Sequence, residues 1–257
     1  MIIRKSPQEI ERMAAAGAIV AATIDHTGAH LEPGITTGEL DRIAESYIRA
    51  RGGVPTSKGY RGYPAAICIS PNEVVVHGIP GSYTVADGDL VTIDVGVTLD
   101  GFIADSAYTF AVGEPEPEAR RLLDVGRDAL AAGIAQARAG NRVGDISAAV
   151  QRLVEEQGFA IVRSLVGHGV GRSYHEDPHV PNFGAPGRGP LLSEGMTIAI
   201  EPMITVGSPE VFVHDDDWTI ATEDGSLSCH FEHTVAISPE GPRVLTASVD
   251  REPSLLR

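Results

Sequence analysis

The spacing of apolar and polar residues alternates along the chain between a helical period and a strand-like one. Residues 6–34 have the helical period and predict a long helix that starts with a capping box of Ser6 and Glu9 and ends at Pro33-Gly34. A second helix is predicted over residues 37–51, before a pair of glycines. The chain therefore begins with a helical pair.

Residues 63–111 are rich in β-forming residues, and turn signals divide them into AAICIS, EVVVHGI, DLVTIDVGVTL and FIADSAYTFAV. A second helical pair is predicted over residues 114–140 and 143–157. Three more strand-like segments follow, which are TIAIEPMITV, DWTIATED and HFEHTVAIS. The pattern predicts a mixed α+β protein.

Two helical pairs, each followed by strands, suggest an internal duplication. The segment GITTGELDRIAESYIRARGG, which starts at Gly34, resembles GNRVGDISAAVQRLVEEQGF, which starts at Gly140. Two capped amphipathic helices can also look alike by chance, and the sequence leaves both explanations open. A duplication predicts one domain over residues 1–257, built from halves 1–113 and 114–257, with a site in the cleft between them.

The net charge limits the classes of partner that the protein can bind tightly, and the cysteine content indicates its cellular compartment. The chain has 20 Lys and Arg against 35 Asp and Glu, a formal charge of -15, which argues against duplex nucleic acid or an anionic membrane as a tight partner. Only two cysteines occur, far apart, so a disulfide framework is not expected and a reducing cytoplasm is the predicted location. No apolar run is long enough to predict a membrane span.

Four acidic residues interrupt strongly apolar, strand-like segments. They are Asp94 in VTIDVGV, Asp105 in GFIADSA, Glu201 in TIAIEPM and Glu232 in HFEHTVAI. A buried, unpaired carboxylate is unfavourable by several kcal/mol, so each needs a proton, hydrogen bonds or a cation. Each alone is most simply a paired structural acid. Together with His168 they form an oxygen-rich ligand set suited to divalent ions such as Mn, Co, Fe or Zn.

Three longer motifs resemble a known family. The segments GHGVGRSYHEDPHVPNFG, GMTIAIEPM and DGSLSCHFEHTVAIS are similar to those of type I methionine aminopeptidases, and the resemblance runs from KSPQEIERM to about Ile237. Only 26 positions separate His175 from Glu201, so the long insertion of the type II enzymes is missing, and no N-terminal extension is expected. The resemblance implies the α+β pita-bread fold, in which two pseudo-symmetric halves each pack a helix pair on antiparallel sheet around a central cleft.

The resemblance also implies a metal centre of two divalent ions, of Co, Mn, Fe, Zn or Ni. Asp94 would bind one ion, His168 and Glu201 the other, and Asp105 and Glu232 would bridge them. A water or hydroxide between the ions would be the nucleophile, and Glu201 would transfer its proton.

Two further histidines and a side-chain pocket have implied roles in substrate binding. His175 would hydrogen-bond the scissile peptide, and His77 would contact the nitrogen beyond it. The positions that match the methionine pocket of the family are Tyr60, Tyr63, Cys68, Tyr174 and Trp218. Without the resemblance, His77 and the aromatic residues would be assigned to the core.

The implied function is a dinuclear metallo-exopeptidase that removes the initiator methionine from nascent proteins with a small second residue. Its partners would be peptide or nascent-chain N-termini, with transient proximity to the ribosome and no direct contact with nucleic acid or membrane. A cytoplasmic monomer is expected.

Some positions depart from the family pattern. Ser57 replaces a usual cysteine, Ile103-Ala104 a usual His-Gly pair, and Cys229-His230 a usual Ala-Gln pair. In a regular strand His230 shares a face with Glu232 and could approach the metals, with an effect that the sequence leaves open.

Two alternatives remain at this point. An X-Pro peptidase of the same fold uses nearly the same ligands, but typically has a further N-terminal domain for which this chain has no room before Asp94. A non-catalytic binding protein of the same fold typically lacks ligands that this chain retains.

Overall fold

A computed structural model describes residues 1–251, and these residues form four α-helices and fifteen β-strands. The helices are α1 (Pro7–Gly28), α2 (Thr37–Ala50), α3 (Pro117–Gln136) and α4 (Val143–Glu156). The strands are β1 (Val54–Pro55), β2 (Cys68–Pro71), β3 (Val74–Val76), β4 (Leu90–Leu99), β5 (Phe102–Ala111), β6 (Ala160–Ile161), β7 (Gly167–Gly169), β8 (Glu176–Val180), β9 (Thr197–Ile200), β10 (Met203–Thr205), β11 (Val211–Val213), β12 (Ile220–Thr222), β13 (Ser228–His230), β14 (His233–Ser238) and β15 (Gly241–Val244).

The first two helices start where the sequence predicts. Ser6 and Glu9 form the capping box of α1, and Thr36 and Glu39 form that of α2. The end predicted for the first helix is wrong, because α1 stops at Gly28 and a turn leads to Pro33. None of the helices in residues 1–251 combines the length and the apolar character needed to cross a bilayer.

Each helix pair packs on a different sheet. Side chains of α1 and α2 share a buried cluster with β2 and β4, whereas those of α3 and α4 share one with β9 and β14. Helices α2 and α4 are both 14 residues long and occupy equivalent places in the two pairs. This arrangement is what an internal duplication predicts, and the division into two halves stays a prediction.

The β4–β5 hairpin dominates the first half. The two strands pair over their full lengths, with Asp94 opposite Ala107 and Gly96 opposite Asp105. β4 also pairs with β1 and β2, which gives a four-stranded antiparallel sheet. The register places Asp94 and Asp105 on one face of this hairpin, at diagonal positions.

The second half contains a five-stranded antiparallel sheet in the order β15-β14-β9-β7-β8. There are two smaller sheets, β13-β10-β6 and β11-β12-β3, and the latter includes β3 from residues 1–113. TIAIEPMITV and HFEHTVAIS were each predicted as one strand, which is wrong. The first divides into β9 and β10 around Glu201-Pro202, and the second into β13 and β14 around Phe231-Glu232. Pro202 has no N–H to donate to a ladder, so the strand changes sheet there.

Helix α3 lies directly on the chain segment that carries Glu232. A Cβ atom added at Gly126 would lie 2.7 Å from both Cys229 Sγ and Phe231 Cδ2. Phe231 is fully buried, and Cys229 is a buried free thiol. Because Gly126 has no side chain, α3 can approach the segment of Cys229 and Phe231 more closely than any other residue at this position would allow.

We expect Gly126→Ala to lower the free energy of unfolding by about 1–3 kcal/mol, because the added methyl group overpacks this contact. Asp128→Ala, on the exposed face of the same helix, should change it by less than about 0.5 kcal/mol. Urea unfolding of both variants measures the difference. Equal stabilities would show that the helix can move away without loss.

Candidate metal centre

The β4–β5 hairpin supplies two carboxylates to the interior. Asp105 is 5% exposed, and Asp94 is partly buried on the same face of the hairpin. Tyr174 donates a hydrogen bond from its hydroxyl to Asp105 Oδ1 at 3.4 Å. A hairpin therefore places two acids side by side, as the spacing of the sequence predicts.

The break between strands brings Glu201 and Glu232 together. β9 and β14 pair with Ile200 opposite His233, and continuing this register by one residue places Glu201 opposite Glu232. Each lies just outside its strand, so neither carboxylate is confined to a sheet face. The chain changes sheet beside Glu201 and beside Glu232, which the sequence did not predict. These two changes turn both carboxylates toward the interior.

Backbone hydrogen bonds connect the two halves at this point. Glu232 N–H donates to the carbonyl of Ala107 at 2.9 Å. Thr234 Oγ1 accepts from Asp105 N–H at 2.9 Å and donates to Asp105 O at 2.8 Å. The partners in β5 are main-chain groups of Asp105 and Ala107, so the bonds fix the distance between β5 and the segment of residues 232–234. The backbone positions that carry Asp105 and Glu232 are thereby fixed relative to each other.

Three of the five predicted ligands already form a compact group. One ligand atom from each of Asp105, His168 and Glu232 lies within 4.8 Å of the other two. His168 Nε2 lies 3.5 Å from Glu201 Oε1 and 3.9 Å from Asp105 Oδ2. Its Nδ1 is 2.9 Å from the carbonyl of Gly169, which indicates that Nδ1 carries the proton and Nε2 is free to bind a cation.

All five predicted ligands line a single cavity of about 680 Å³. His77, His175 and all five predicted pocket residues line the same cavity. Asp94 belongs to it but lies outside the compact group of Asp105, His168 and Glu232. The structure therefore brings together every residue that the sequence singled out for this site.

The sequence analysis missed several residues of the cavity wall. Met203 and Val76 contribute apolar surface, and Arg61 and Asp217 lie at the wall as charged groups. Met203 follows Glu201 by two positions, a spacing that could have identified it. Arg61 and Asp217 lie in loops without periodicity, and no sequence pattern points to them.

Three residues of the cavity wall have a left-handed backbone. Arg61, His77 and Asp217 have φ angles of 48°, 58° and 63°. This region is uncommon for residues other than glycine and costs of order 1 kcal/mol. For His77 it means that β3 ends at Val76 and the chain turns sharply, which directs the imidazole toward the cavity.

His175 is held by a tyrosine. Its Nδ1 lies 2.9 Å from Tyr60 Oη, and the two rings are stacked at 5.4 Å. The His175 ring also lies 4.2 Å from the ring of His168. His175 is thus adjacent to the ligand group, with Nδ1 occupied by Tyr60.

Aromatic rings form the remaining wall. Tyr63 and Trp218 pack edge to face at 5.1 Å, and Trp218 also contacts the ring of His77. Ser57 Oγ lies 3.1 Å from Tyr174 Oη, so this departure from the family pattern supports the ring that reaches Asp105. Ile103 instead packs in a buried apolar cluster and does not line the cavity.

Burial dominates the electrostatics of the acids. It raises the pKa of Asp94 to about 7. Burial, followed by the charges of neighbouring carboxylates, raises the pKa of Asp105, Glu201 and Glu232 well above the usual range. The acids thus retain protons near neutral pH unless a cation compensates their charge.

Burial has the opposite effect on the histidines. It lowers the pKa of His168 and of His230 to about 3 and that of His77 to about 4. Neutral imidazoles are the form that binds metals.

The donor set fits divalent metal ions. Within residues 1–251, the buried atoms Glu201 Oε1 and Glu232 Oε1 have no hydrogen-bond partner. A buried carboxylate oxygen without a partner is costly, and a cation would satisfy it. Carboxylates with one imidazole suit hard or borderline divalent ions, as the sequence indicates.

We expect the free energy of unfolding of the metal-free protein to fall as the pH rises from 7 to 8.5. A carboxyl group whose pKa is raised by folding holds a proton in the folded state alone between its unfolded and its folded pKa, so stability falls with rising pH over that interval. For Asp94 the interval ends near pH 7, and the fall above pH 7 comes from Asp105, Glu201 and Glu232, whose pKa values burial raises well above the usual range. The slope should reach about 1.4 kcal/mol per pH unit for each proton retained.

Chemical unfolding after chelation measures this slope. His168, His230 and His77 contribute little to this slope, because their pKa values are lowered to about 3–4 in the folded state and an unfolded histidine, with a pKa of about 6.5, is mostly neutral above pH 7. Added divalent metal should remove the slope, since a cation then compensates the ionised acids. Metal-free stability that is constant or rises over this range would contradict the assignment of protonated acids.

A buried ion pair supports the loop that carries His175. Lys5 Nζ lies 2.6 Å from Glu176 Oε2, and both side chains are more than nine-tenths buried. Glu176 Oε1 accepts hydrogen bonds from the N–H groups of Arg172 and Ser173. The N-terminal segment is thereby attached to the loop beside His175.

Lys5→Met should lower the free energy of unfolding by about 3–5 kcal/mol, because it leaves the Glu176 carboxylate buried without its cation. Arg49→Ala, which removes the exposed pair with Glu45, is the control and should cost less than about 1 kcal/mol. Urea unfolding compares the two, and a loss no larger for Lys5→Met than for the control would refute this role of the pair.

Comparison with known proteins gives a consistent family. Residues 11–239 match the model of metallopeptidase family M24. A methionine aminopeptidase of Clostridium perfringens is 52% identical over 96% of this chain and 99% of its own. A crystal structure of methionine aminopeptidase from Thermotoga maritima has a TM-score of 0.95 at 42% identity, and covers 96% of this chain and 100% of that chain.

A prolidase of Pyrococcus furiosus has a TM-score of 0.76 at 22% identity and covers 96% of this chain and 66% of its own. At that identity the likeness shows the shared pita-bread fold alone. The four helices, the antiparallel sheets, the family model and the near full-length relatives agree, and the chain belongs to metallopeptidase family M24, within its type I methionine aminopeptidase group.

Proposed function

We propose that this chain is a metal-dependent aminopeptidase that removes an N-terminal methionine. The observation that carries the proposal is the cavity in which buried carboxylate oxygens without partners lie beside an aromatic pocket. Relatives named methionine aminopeptidase, 40–52% identical over nearly the whole chain, support it. Residues 1–257 would act as one catalytic domain.

The proposed metal ligands are the five buried or partly buried groups described above. Asp94 would hold one ion, His168 and Glu201 a second, and Asp105 and Glu232 both. When bound, the divalent ions supply Lewis-acid chemistry and lower the pKa of water. The proposal includes two ions, each of which would be Co, Mn, Fe, Zn or Ni.

Glu201 is the residue proposed to move a proton. Its Oε1 is buried without a hydrogen-bond partner and lies 3.5 Å from His168 Nε2. Without a cation, burial and the nearby aspartates raise its pKa well above the usual range. Bound cations would lower it, and the ionised carboxylate could then accept a proton and return it.

His175 and His77 are proposed to orient the peptide bond. If Tyr60 donates its hydroxyl proton to His175 Nδ1, then Nε2 of His175 carries a proton and can donate it to the peptide carbonyl. His77 lies on the same cavity against Trp218 and would contact the next backbone nitrogen.

Methionine specificity is proposed to come from the pocket of Tyr60, Tyr63, Cys68, Tyr174 and Trp218. Sulfur and aromatic surfaces favour a slender thioether over branched or charged side chains. Such a pocket discriminates one or two methylenes by about 1–3 kcal/mol, so close analogues of methionine should be cleaved more slowly. A small second residue would fit best, because His77 and His175 line the same cavity and would crowd a larger side chain there.

The proposed substrates in the cell are nascent-chain N-termini, which implies transient proximity to the ribosome. The charge of -15 supplies no attraction to RNA, so the peptide alone would be recognised. A cytoplasmic monomer is part of the same proposal.

Hydrolysis of Met-Ala-Ser and of an Ala-Pro peptide, assayed with added Mn or Co, tests the function. We expect methionine release from the first peptide and no cleavage of the second. His175→Gln should lower kcat by about 10²–10³-fold, because it removes a donor to the developing negative charge. His30→Gln, which replaces an exposed histidine in the turn after α1, is the matched control and should leave turnover unchanged.

Cleavage of the Ala-Pro peptide alone would instead assign an X-Pro peptidase. Absence of turnover with every metal would assign a binding protein. Both results would overturn the proposal.

A further inference from the structure

The polar side chain of His230 is buried at the wall of the cavity, and the family resemblance gives this residue no role. It is 2% exposed and lines the same cavity as the carboxylates. Within residues 1–251, neither Nδ1 nor Nε2 of this imidazole has a hydrogen-bond partner. Two ring nitrogens without partners in the interior are unfavourable, which calls for a missing partner.

The main chain of His230 is fixed more firmly than its ring. Its N–H donates to Thr109 Oγ1 at 2.9 Å, and its carbonyl accepts from the same hydroxyl at 2.9 Å. In the sheet, His230 pairs with Met203, which also lines the cavity. The position of the imidazole at the cavity wall is therefore a property of the fold.

The nearest acid is Glu201. His230 Nε2 lies 3.9 Å from Glu201 Oε2, whereas His168 Nε2 lies 3.5 Å from Glu201 Oε1. Glu201 thus stands between two imidazoles, with one oxygen facing each. A separation of 3.9 Å is too long for a hydrogen bond, so Glu201 does not satisfy His230 directly.

The same separation is suitable for two ligands of one ion. Metal–nitrogen and metal–oxygen bonds are about 2.0–2.2 Å, so two atoms bound to the same ion are at most about 4.4 Å apart. The pair His168 Nε2 and Asp105 Oδ2, both proposed ligands, is also separated by 3.9 Å. The separation of His230 Nε2 from Glu201 Oε2 therefore equals that of two proposed ligands, so His230 could share an ion with Glu201.

We propose that His230 is a further nitrogen ligand of the metal centre, on the side of Glu201 that faces away from His168. This inference rests on the proposed function, since it requires the metal centre described above. It adds a second imidazole to a carboxylate set without changing its charge. Imidazole suits Zn, Ni and Fe, whereas a set of carboxylates and water suits Mn, so His230 shifts selectivity away from Mn.

Direct bonding can be tested with ¹¹³Cd²⁺ and protein whose histidines are labelled with ¹⁵N. A nitrogen bonded to ¹¹³Cd shows a scalar splitting, which a hydrogen bond or a structural role does not produce. We expect splitting of one ring nitrogen of His168 and one of His230, and the spectrum of His230→Gln assigns the second signal.

This experiment separates the two proposals. Splitting at His168 with an unsplit His230 would overturn the further inference and leave the metal centre intact. Splitting at neither histidine would overturn the metal centre itself. The splitting itself is measured in the unmodified protein, and the variant serves only to assign the second signal.

Metal selectivity provides a second measurement. Competition calorimetry gives the ratio of the affinities for Ni²⁺ and Mn²⁺, and we expect His230→Gln to lower this ratio about tenfold or more. His30→Gln, which removes an exposed histidine, should leave the ratio unchanged. An unchanged ratio in His230→Gln would contradict the proposal.

Discussion

Mutual repulsion among buried carboxyl groups is the constraint on which the structure of this site depends. Asp105 and Glu232 are almost wholly removed from water, and Asp94 and Glu201 line the same cavity. Placing such charges together is unfavourable, and the side chains would separate if the backbone allowed it. The hairpin register and the bonds of Asp105 and Ala107 to the opposite half prevent this. The fold thus holds together a group of acids whose negative charge, once they ionise, divalent cations would neutralise.

The sequence predicted those features that depend on local pattern. The capping box of Ser6 and Glu9 is confirmed, and so is the hairpin, because both follow from neighbouring residues. Asp94 and Asp105 could be identified since a charged residue in an apolar strand breaks the expected pattern. The family and its fold were predicted from motifs in order along the chain and are confirmed by comparison.

Features that depend on distant contacts were not predicted. The ion pair of Lys5 and Glu176 joins residues far apart in the chain, and neither residue is unusual in its own segment. The strand breaks beside Glu201 and Glu232 were missed, because the apolar residues on both sides continue a strand pattern across them. Where a chain leaves one sheet for another is decided by packing between sheets, which a linear pattern does not contain.

The left-handed backbone of His77 has a consequence for how the protein can evolve. Glycine or asparagine would adopt this conformation more easily, and the same holds at Arg61 and Asp217. A library screened for heat resistance alone should therefore accumulate such replacements around the cleft and lose turnover in the process. If His77 contacts the substrate as proposed, thermal robustness and chemical performance are selected in opposite directions at position 77.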